Sequence, residues 1–194
     1  MSMFDPTNMV VFYNDSGSTI DPFSVFRVDG LHAVDGVQML VAKQSNVYGS
    51  QYSHYINGPT SVANHALGGC FGMFPCLAAV NGSPAKGDQV GPRNGQWNLR
   101  ASTYGFRVVD LIESGLAIVE REPMLAFTGK FDADVSQGSA GTVSIYYPSS
   151  GTLTDTTENM SSVLAVSGDF LSTAFVNVTW LNGRWEAYTR ECDV

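Results

Sequence analysis

Short apolar runs alternate with turn signals along the whole chain. The runs are rich in Val, Ile, Phe, Tyr, Trp and Thr, which suit a pleated and half-buried strand. They are VVFY (10–13), FSVFRV (23–28), QMLVA (38–42), WNLRA (97–101), GFRVVDLI (105–112), GLAIVE (115–120), GTVSIYY (141–147), AFVNVTW (174–180) and RWEAYT (184–189). Between them stand segments of Gly, Asn, Asp and Ser, which accept the backbone angles of tight turns, at 14–18, 28–30, 34–36, 57–59, 81–83, 92–95, 149–151 and 181–183. The pattern predicts an all-β protein built from hairpins.

Two segments leave the choice between helix and strand open. Segment 61–69 (SVANHALGG) fits a short helix that closes on a glycine, or a strand pair around a bulge. Segment 157–168 places apolar residues at helical spacing, but it also fits a loop followed by a strand. The clearest element is the last hairpin, in which Asn182 and Gly183 form a type I′ turn signal between two strands.

A domain boundary is predicted near residues 121–127. Pro123 cannot donate a backbone hydrogen bond to a central strand, and the looser polar segment 128–141 follows it. We therefore predict a hairpin-rich barrel or sandwich over residues 1–123, followed by a smaller β domain over residues 124–194. A single continuous sandwich is the alternative.

Composition indicates a surface that is covered by neighbours. The 194 residues are 44% apolar and 11% aromatic, which is ample for a core. Only 14% are charged, against about 25% in an average globular protein. A charge-poor surface suits burial in an assembly. The net charge of −8 disfavours nucleic acid and an anionic membrane as partners, and we expect neither a targeting segment nor a membrane span.

The sequence predicts no metal centre and no cofactor. His54, His65, Cys70 and Cys76 have a spacing that could hold zinc, but structural zinc ligands normally stand in closer pairs. The two cysteines lie in an apolar stretch, which predicts buried free thiols. A Cys–His nucleophilic pair lacks a local signature. An odd total of three cysteines does not resemble a secreted disulfide framework.

Nothing in the acidic residues predicts catalysis. Asp132, Asp134 and Asp155 could bind calcium with backbone carbonyls, yet no DxDxDG-type loop surrounds them. Pairs of carboxylates could hydrolyse a glycoside only at a defined separation, and we expect these acids on exposed loops. No P-loop, G-x-S-x-G or H-E-x-x-H motif occurs. We therefore predict a protein that is not an enzyme.

Tyrosines are the best candidates for partner contacts. Tyr48, Tyr52 and Tyr55 lie in a segment rich in Ser and Gly, and Tyr146 and Tyr147 precede a proline. Tyrosine offers a large, rigid and amphipathic contact surface, which suits protein or sugar recognition. The alternative is that each is a strand residue half-buried in a sheet.

Five segments together resemble a family of bacteriophage and prophage virion-associated proteins. They are NDSGSTIDPFSVFRVDG (14–30), INGP (56–59), GSPAKGDQVGPRNGQWNLRASTYGFRVV (82–109), KFDADVSQGSAGTVSIYYPSSGTLTDTTE (130–158) and NVTWLNGRWEAYTREC (177–192). The chain departs from the family pattern at Asp21 and at 154–162. These patterns consist of turns and strands, so no functional residue is carried over from them.

The resemblance implies a structural part of a phage particle, assembled in the host bacterial cytoplasm. Its partners would be capsid or tail subunits, and the protein would be a homo-oligomer, expected as a trimer. The role favoured is a capsid decoration (cement) protein, because no heptads or collagen-like repeats of a fibre shaft occur. A tail adaptor, tip or fibre-base protein is the alternative within the particle. A carbohydrate- or receptor-binding module is the alternative from another class.

Overall fold

The predicted all-β fold class is confirmed by a computed structural model of the chain. The structure describes residues 9–45, 54–101, 104–122, 126–149, 152–181 and 183–189. Within these ranges every element is a strand, and no helix long and apolar enough to cross a bilayer is found. The chain forms two compact units, Met1–Pro123 and Met124–Val194. That each unit folds alone as a domain stays a prediction.

The first unit begins with a five-stranded sheet, which we call the first sheet. Its strands are β1 (Met9–Asn14), β2 (Val25–Val34), β3 (Val37–Lys43), β4 (His54–Ile56) and β5 (Leu67–Phe71). They lie in the order β4-β2-β3-β1-β5, with β1 and β3 parallel. An antiparallel bridge between Asn57 and Cys70 links the ends of β4 and β5, so the sheet curls towards closure.

A closed five-stranded barrel completes the first unit, and we call it the first barrel. Its strands are β6 (Cys76–Asn81), β7 (Gln89–Gly91), β8 (Leu99–Ala101), β9 (Gly105–Glu113) and β10 (Leu116–Glu122). They lie in the ring order β10-β6-β8-β7-β9, with β6 and β8 parallel. The pairing of β9 with β10 closes the ring.

The second unit is a second closed barrel. Its strands are β11 (Ala126–Phe131), β12 (Ala140–Ser149), β13 (Thr152–Ala165), β14 (Val176–Leu181) and β15 (Arg184–Thr189). The ring order is β11-β12-β13-β15-β14, with β13 and β15 parallel. The pairing of β11 with β14 closes this ring.

One strand connectivity occurs three times in the chain. When β1 to β5 are matched in order to β6 to β10, every pair of neighbours agrees, including the parallel pair and the closing contact. The second barrel has the same ring of neighbouring strands, but the chain starts at a different strand of the ring. There β13, β14, β15, β11 and β12, in that order, take the places of β1 to β5. The repeat lies in the pairing of strands, and hydrophobic alternation alone does not show it.

The first unit has two core clusters, and the first sheet and the first barrel share one of them. A cluster of Phe12, Ile20, Phe26, Ala42, Val62 and Cys70 fills the inside of the sheet. A second cluster joins Val25, Ile56 and Phe71 of the sheet to the apolar side chains inside the barrel. Residues in these clusters are almost fully buried, so removal of a large side chain would leave a cavity and cost about 2–5 kcal/mol.

The structure corrects one turn assignment and decides the two open segments. Residues 28–30 are not a turn; they lie inside β2, where Gly30 has a φ of 107° and the register with β3 shifts between Val28 and Leu31. Segment 61–69 forms no helix, and instead passes through a turn into β5. Segment 157–168 runs mostly within β13. Neither segment is helical, but neither alternative holds in full, because 64–65 is a turn rather than a bulge and 157–161 is strand rather than loop.

Candidate functional site

The outer face of the second barrel brings aromatic, cationic and polar side chains close together. Along β11, Phe127 and Phe131 are buried inside the barrel, whereas Thr128 and Lys130 point outward. Residue pairing sets Thr128 opposite Tyr146 of β12, which therefore also lies on the outside. Strand alternation thus sorts this unit into an apolar interior and an aromatic, polar exterior.

Three side chains form the centre of this outer face. The rings of Tyr146 and Phe175 meet edge to face, with centroids 5.0 Å apart and planes at 89°. The Lys130 ammonium lies 4.1 Å from the Phe175 centroid and 5.7 Å from that of Tyr146. A cation within about 6 Å of a ring face is attracted by the ring quadrupole. The mutual contacts of the three side chains therefore restrict the orientation of each of them.

Hydroxyl, amide and carboxylate groups flank the aromatic pair. The Ser144 hydroxyl donates to Asp132 at 2.8 Å and lies 3.2 Å from the side-chain oxygen of Asn159. Asp155 of β13 pairs across the sheet with Tyr146, and it accepts a bond from the backbone N–H of Thr157 at 2.7 Å. Polar oxygens thus lie on the side of the rings that faces β13.

Electrostatics at the site keep the phenol neutral. Partial burial raises the pKa of Tyr146 above its usual value of 10.0, and the nearby carboxylates of Asp155 and Asp132 raise it further. The hydroxyl therefore keeps its proton throughout the neutral range, where it can both donate and accept a hydrogen bond. We name Tyr146, Phe175, Lys130, Ser144, Asn159 and Asp155 together the outer patch.

The five tyrosines predicted to contact a partner have different places in the chain. Tyr146 lies at the centre of the outer patch. Tyr147 follows it on the opposite face of β12, on the side of buried Val143 and Ile145. Tyr48 and Tyr52 lie outside the described residues. No observation tests whether any of the five touches a partner, so that role stays a prediction.

Tyr55 is integrated into the packing of the first unit. Its ring stacks on Phe26, with centroids 6.3 Å apart, and packs against the core of the first sheet. The Arg121 guanidinium lies 5.4 Å from the same ring and 4.7 Å from the ring of Phe74, and it also donates to the carbonyl of His54 at 2.7 Å. The half-buried strand interpretation therefore describes Tyr55.

Cys70 and Cys76 are buried and free. Burial raises the pKa of both thiols from 9.0 to about 12. Because the thiolate is the nucleophile and the metal ligand, this environment suppresses both chemistries. The Cys70 thiol donates to the carbonyl of Val10 at 3.3 Å, as a packed core side chain does.

The remaining polar residues considered for zinc and calcium have local partners. His54 is buried and lies 3.0 Å from the Ser45 hydroxyl through Nε2. Asp134 accepts a bond from the backbone N–H of Ser172 at 2.7 Å, which lowers the pKa of this carboxyl. In the described ranges, no group of three or more His, Cys, Asp or Glu side chains is placed to hold a metal ion.

Sequence reasoning did not predict that Phe175 and Lys130 contact the ring of Tyr146. Lys130 and Phe175 are 45 positions apart, and only the pairing of β11 with both β12 and β14 brings them together. Lys130 lies in 128–141, which the sequence predicted to be a looser polar segment, so its outward place on β11 was not predicted. Alternation in 174–180 places Phe175 on the face opposite Val176 and Val178, but its contact with Lys130 depends on the register of β14 with β11.

Comparison of the chain with protein-family models, curated proteins and solved structures finds no match.

Proposed function

We propose that this protein is a non-catalytic structural protein of a bacteriophage particle, acting as a capsid decoration protein. The observation that supports this function best is the exposure of apolar side chains on two hairpins of the first unit. In the β2–β3 hairpin, Leu31 is 65% exposed and Val37 is 59% exposed. In the β9–β10 hairpin, Leu111 and Ile112 are 44% and 54% exposed.

We interpret these two hairpins as arms that contact a neighbouring subunit. Residues 29–33 of β2 are all exposed, as are residues 110–113 of β9, so both faces of each strand are open to solvent there. A strand that exposes both faces buries little surface of its own. Covering Leu31 or Ile112 with a partner would gain about 1.5–3 kcal/mol for each side chain. Assembly would therefore bury apolar surface that is exposed to solvent in the monomer.

The first barrel supplies a rigid base for one of these arms. The β9–β10 hairpin tip, the end of β6 and residues 82–84 line a cavity of about 350 Å³, whose lining includes Val80, Pro84, Leu111 and Ile112. In this hairpin β9 pairs with β7 only at Phe106 and Arg107, so the outer edge of residues 110–113 is unpaired. Contacts to the particle would then be made through the exposed side chains, through strand addition at this edge, or through both.

The low charge of the chain supports the same proposal. An interface of apolar and uncharged polar side chains gains little from ionic steering, so its affinity should vary little with salt. The assignment to a bacteriophage particle is based on the resemblance of the sequence segments to virion-associated proteins. A symmetric homo-oligomer, expected as a trimer, is part of the proposal and is measurable by light scattering coupled to gel filtration.

The test is re-addition of the purified protein to particles assembled without it. Binding should be saturable both at low salt and at roughly 0.5 M salt. Leu31→Asp and Ile112→Asp should each abolish binding but leave the melting temperature within a degree or two, because both side chains are exposed. Leu171→Asp is the matched control, since Leu171 is 63% exposed in the second unit and outside both hairpins. Undiminished binding of the two hairpin variants would contradict the proposal.

A further inference from the structure

We infer that the outer patch of the second barrel binds a neutral oligosaccharide. This inference goes beyond the structural role proposed above and does not depend on it. It is based on the juxtaposition of an aromatic pair with hydroxyl, amide and carboxylate groups on one exposed sheet face.

The aromatic pair provides the apolar part of a sugar site. Pyranose rings carry a face of C–H groups, which packs on an aromatic face as an apolar surface does. Tyr146 and Phe175 are both only partly buried, and their edge-to-face contact fixes the two ring planes at 89°. Two rings fixed at a right angle form a corner rather than a flat platform. Because the Lys130 ammonium lies over the Phe175 ring, 4.1 Å from its centroid, a saccharide unit would pack on the Tyr146 ring while the next unit continues along β12.

The polar part of the site lies beside the rings, on β12 and β13. Ser144 and Asn159 are within 3.2 Å of each other, and Asp155 pairs with Tyr146. Neighbouring hydroxyls of a pyranose donate to carboxylate and amide oxygens and accept from amide N–H groups. Ligand sites typically combine apolar contact area with a small number of fixed polar groups. The outer patch has this composition.

Charge decides between neutral and acidic sugars. Lys130 supplies the single cation of the patch, and its ammonium is engaged by the rings at 4.1 and 5.7 Å. Asp155 within the patch and Asp132 at its border oppose it with two carboxylates. An anionic sugar would therefore meet a net negative surface and a cation already partnered. Neutral hexoses and N-acetylhexosamines fit this balance.

A peptide ligand fits the site less well. Extended peptides commonly bind by adding a strand to an open sheet edge. β13 pairs with β15 only at Leu164 and Ala165, so residues 152–163 leave one edge of this strand open. A peptide added there would use backbone groups and would not need the rings of Tyr146 and Phe175, so the peptide probe and Tyr146→Ala distinguish the two modes of binding.

Ligand binding to the full chain is measured by saturation-transfer NMR and by calorimetric titration. The neutral ligands are three hexaoses: maltohexaose, cellohexaose and chitohexaose. A galacturonic acid hexamer is the acidic probe, and an extended heptapeptide of Ser and Gly is the peptide probe. The variants are Tyr146→Ala and Phe175→Ala, with Asn159→Ala as an exposed substitution that spares the aromatic pair. Tyr13→Ala is the matched control, because Tyr13 lies on the outer face of the first sheet, in the other unit. Thermal unfolding of each variant checks that it is folded.

At least one neutral hexaose should bind, and Tyr146→Ala should weaken that binding about tenfold or more, equivalent to a loss of about 1.4 kcal/mol. Asn159→Ala should weaken it as well, whereas Tyr13→Ala should leave it unchanged. Absence of signal from all three neutral hexaoses at about 10 mM would overturn the inference. So would binding that Tyr146→Ala and Asn159→Ala both leave intact. Binding of the acidic or peptide probe alone would equally overturn it. Particle binding is measured separately, so failure here leaves the proposed structural role to its own test.

Discussion

Gly91→Ala should destabilise the first unit, because the first barrel leaves no space for a side chain at this position. A Cβ on Gly91 would lie 2.7 Å from the Tyr104 carbonyl carbon and 2.8 Å from the Tyr104 nitrogen, with the carbonyl oxygen closer still. All three atoms belong to the backbone, so a change of side-chain rotamer cannot relieve the overlap. The strand β7 has only three residues and pairs with both β8 and β9, so it cannot retreat from Tyr104 without losing ring contacts.

Forcing extra atoms into a packed site usually costs about 1–3 kcal/mol, and the backbone obstacle places Gly91→Ala at about 3 kcal/mol or more. For a protein of this size that corresponds to a fall in melting temperature of roughly 6–12 °C. Differential scanning calorimetry with urea unfolding at 25 °C measures it. Gly168→Ala is the control, since a Cβ there meets nothing within 4 Å, and no change beyond about 0.5 kcal/mol is expected. If Gly91→Ala had the same melting temperature as the wild type, the inference that β7 lies too close to Tyr104 for a side chain would be wrong.

Three further predictions concern the last hairpin, the thiols and one ion pair. Gly183→Val should cost about 1–3 kcal/mol because Gly183 has a φ of 79°, and an unchanged urea midpoint would refute this. In a Cys192→Ser variant, Cys70 and Cys76 should resist Ellman's reagent at pH 8 in the native protein and react with it in urea. The reason is that their pKa values of about 12 keep the folded thiols protonated. Rapid reaction of the native protein would show that the thiols are accessible. The hydrogen bond from Lys43 lowers the pKa of Asp15 below 3.8, so its stabilising contribution is present above that pH and is lost as the pH falls through the lower folded value. Lys43→Met should raise the pKa of Asp15 in an NMR titration, and an unmoved midpoint would contradict the assignment.

Much of the strand content could be predicted from the sequence. Each of the nine apolar runs overlaps a strand, because β-branched and aromatic residues in alternation identify half-buried strands reliably. The strands that were missed carry other signals. β5 contains Gly68 and Gly69, which weaken strand propensity, yet a side chain at Gly68 would collide with Phe12 and Val62. Tertiary packing, rather than local preference, therefore decides β5.

The candidate site could be predicted only in part. Tyr146 was recognisable as an aromatic residue in a β run, whereas Lys130 lay in a segment that was predicted to be loose and polar. Their proximity to Phe175 and Asn159 depends on which strands pair and in which register, and on the irregularity of β13 between Asp155 and Asn159. Alternation gives the face of each residue but not its neighbour across the sheet.

The repeated ring also has a consequence for the order in which the chain folds. Hairpins such as β14–β15 need only a few residues between their strands, but ring closure brings Ala126–Gly129 of β11 against Val176–Thr179 of β14. Contacts of such long sequence separation are formed slowly, because the entropy of the intervening loop is lost before the pairing compensates for it. Until closure, β11 and β14 each present an unpaired edge that can bind another chain. Synthesis at high concentration should therefore favour aggregation of the incomplete barrel, whereas the closed barrel no longer offers those edges.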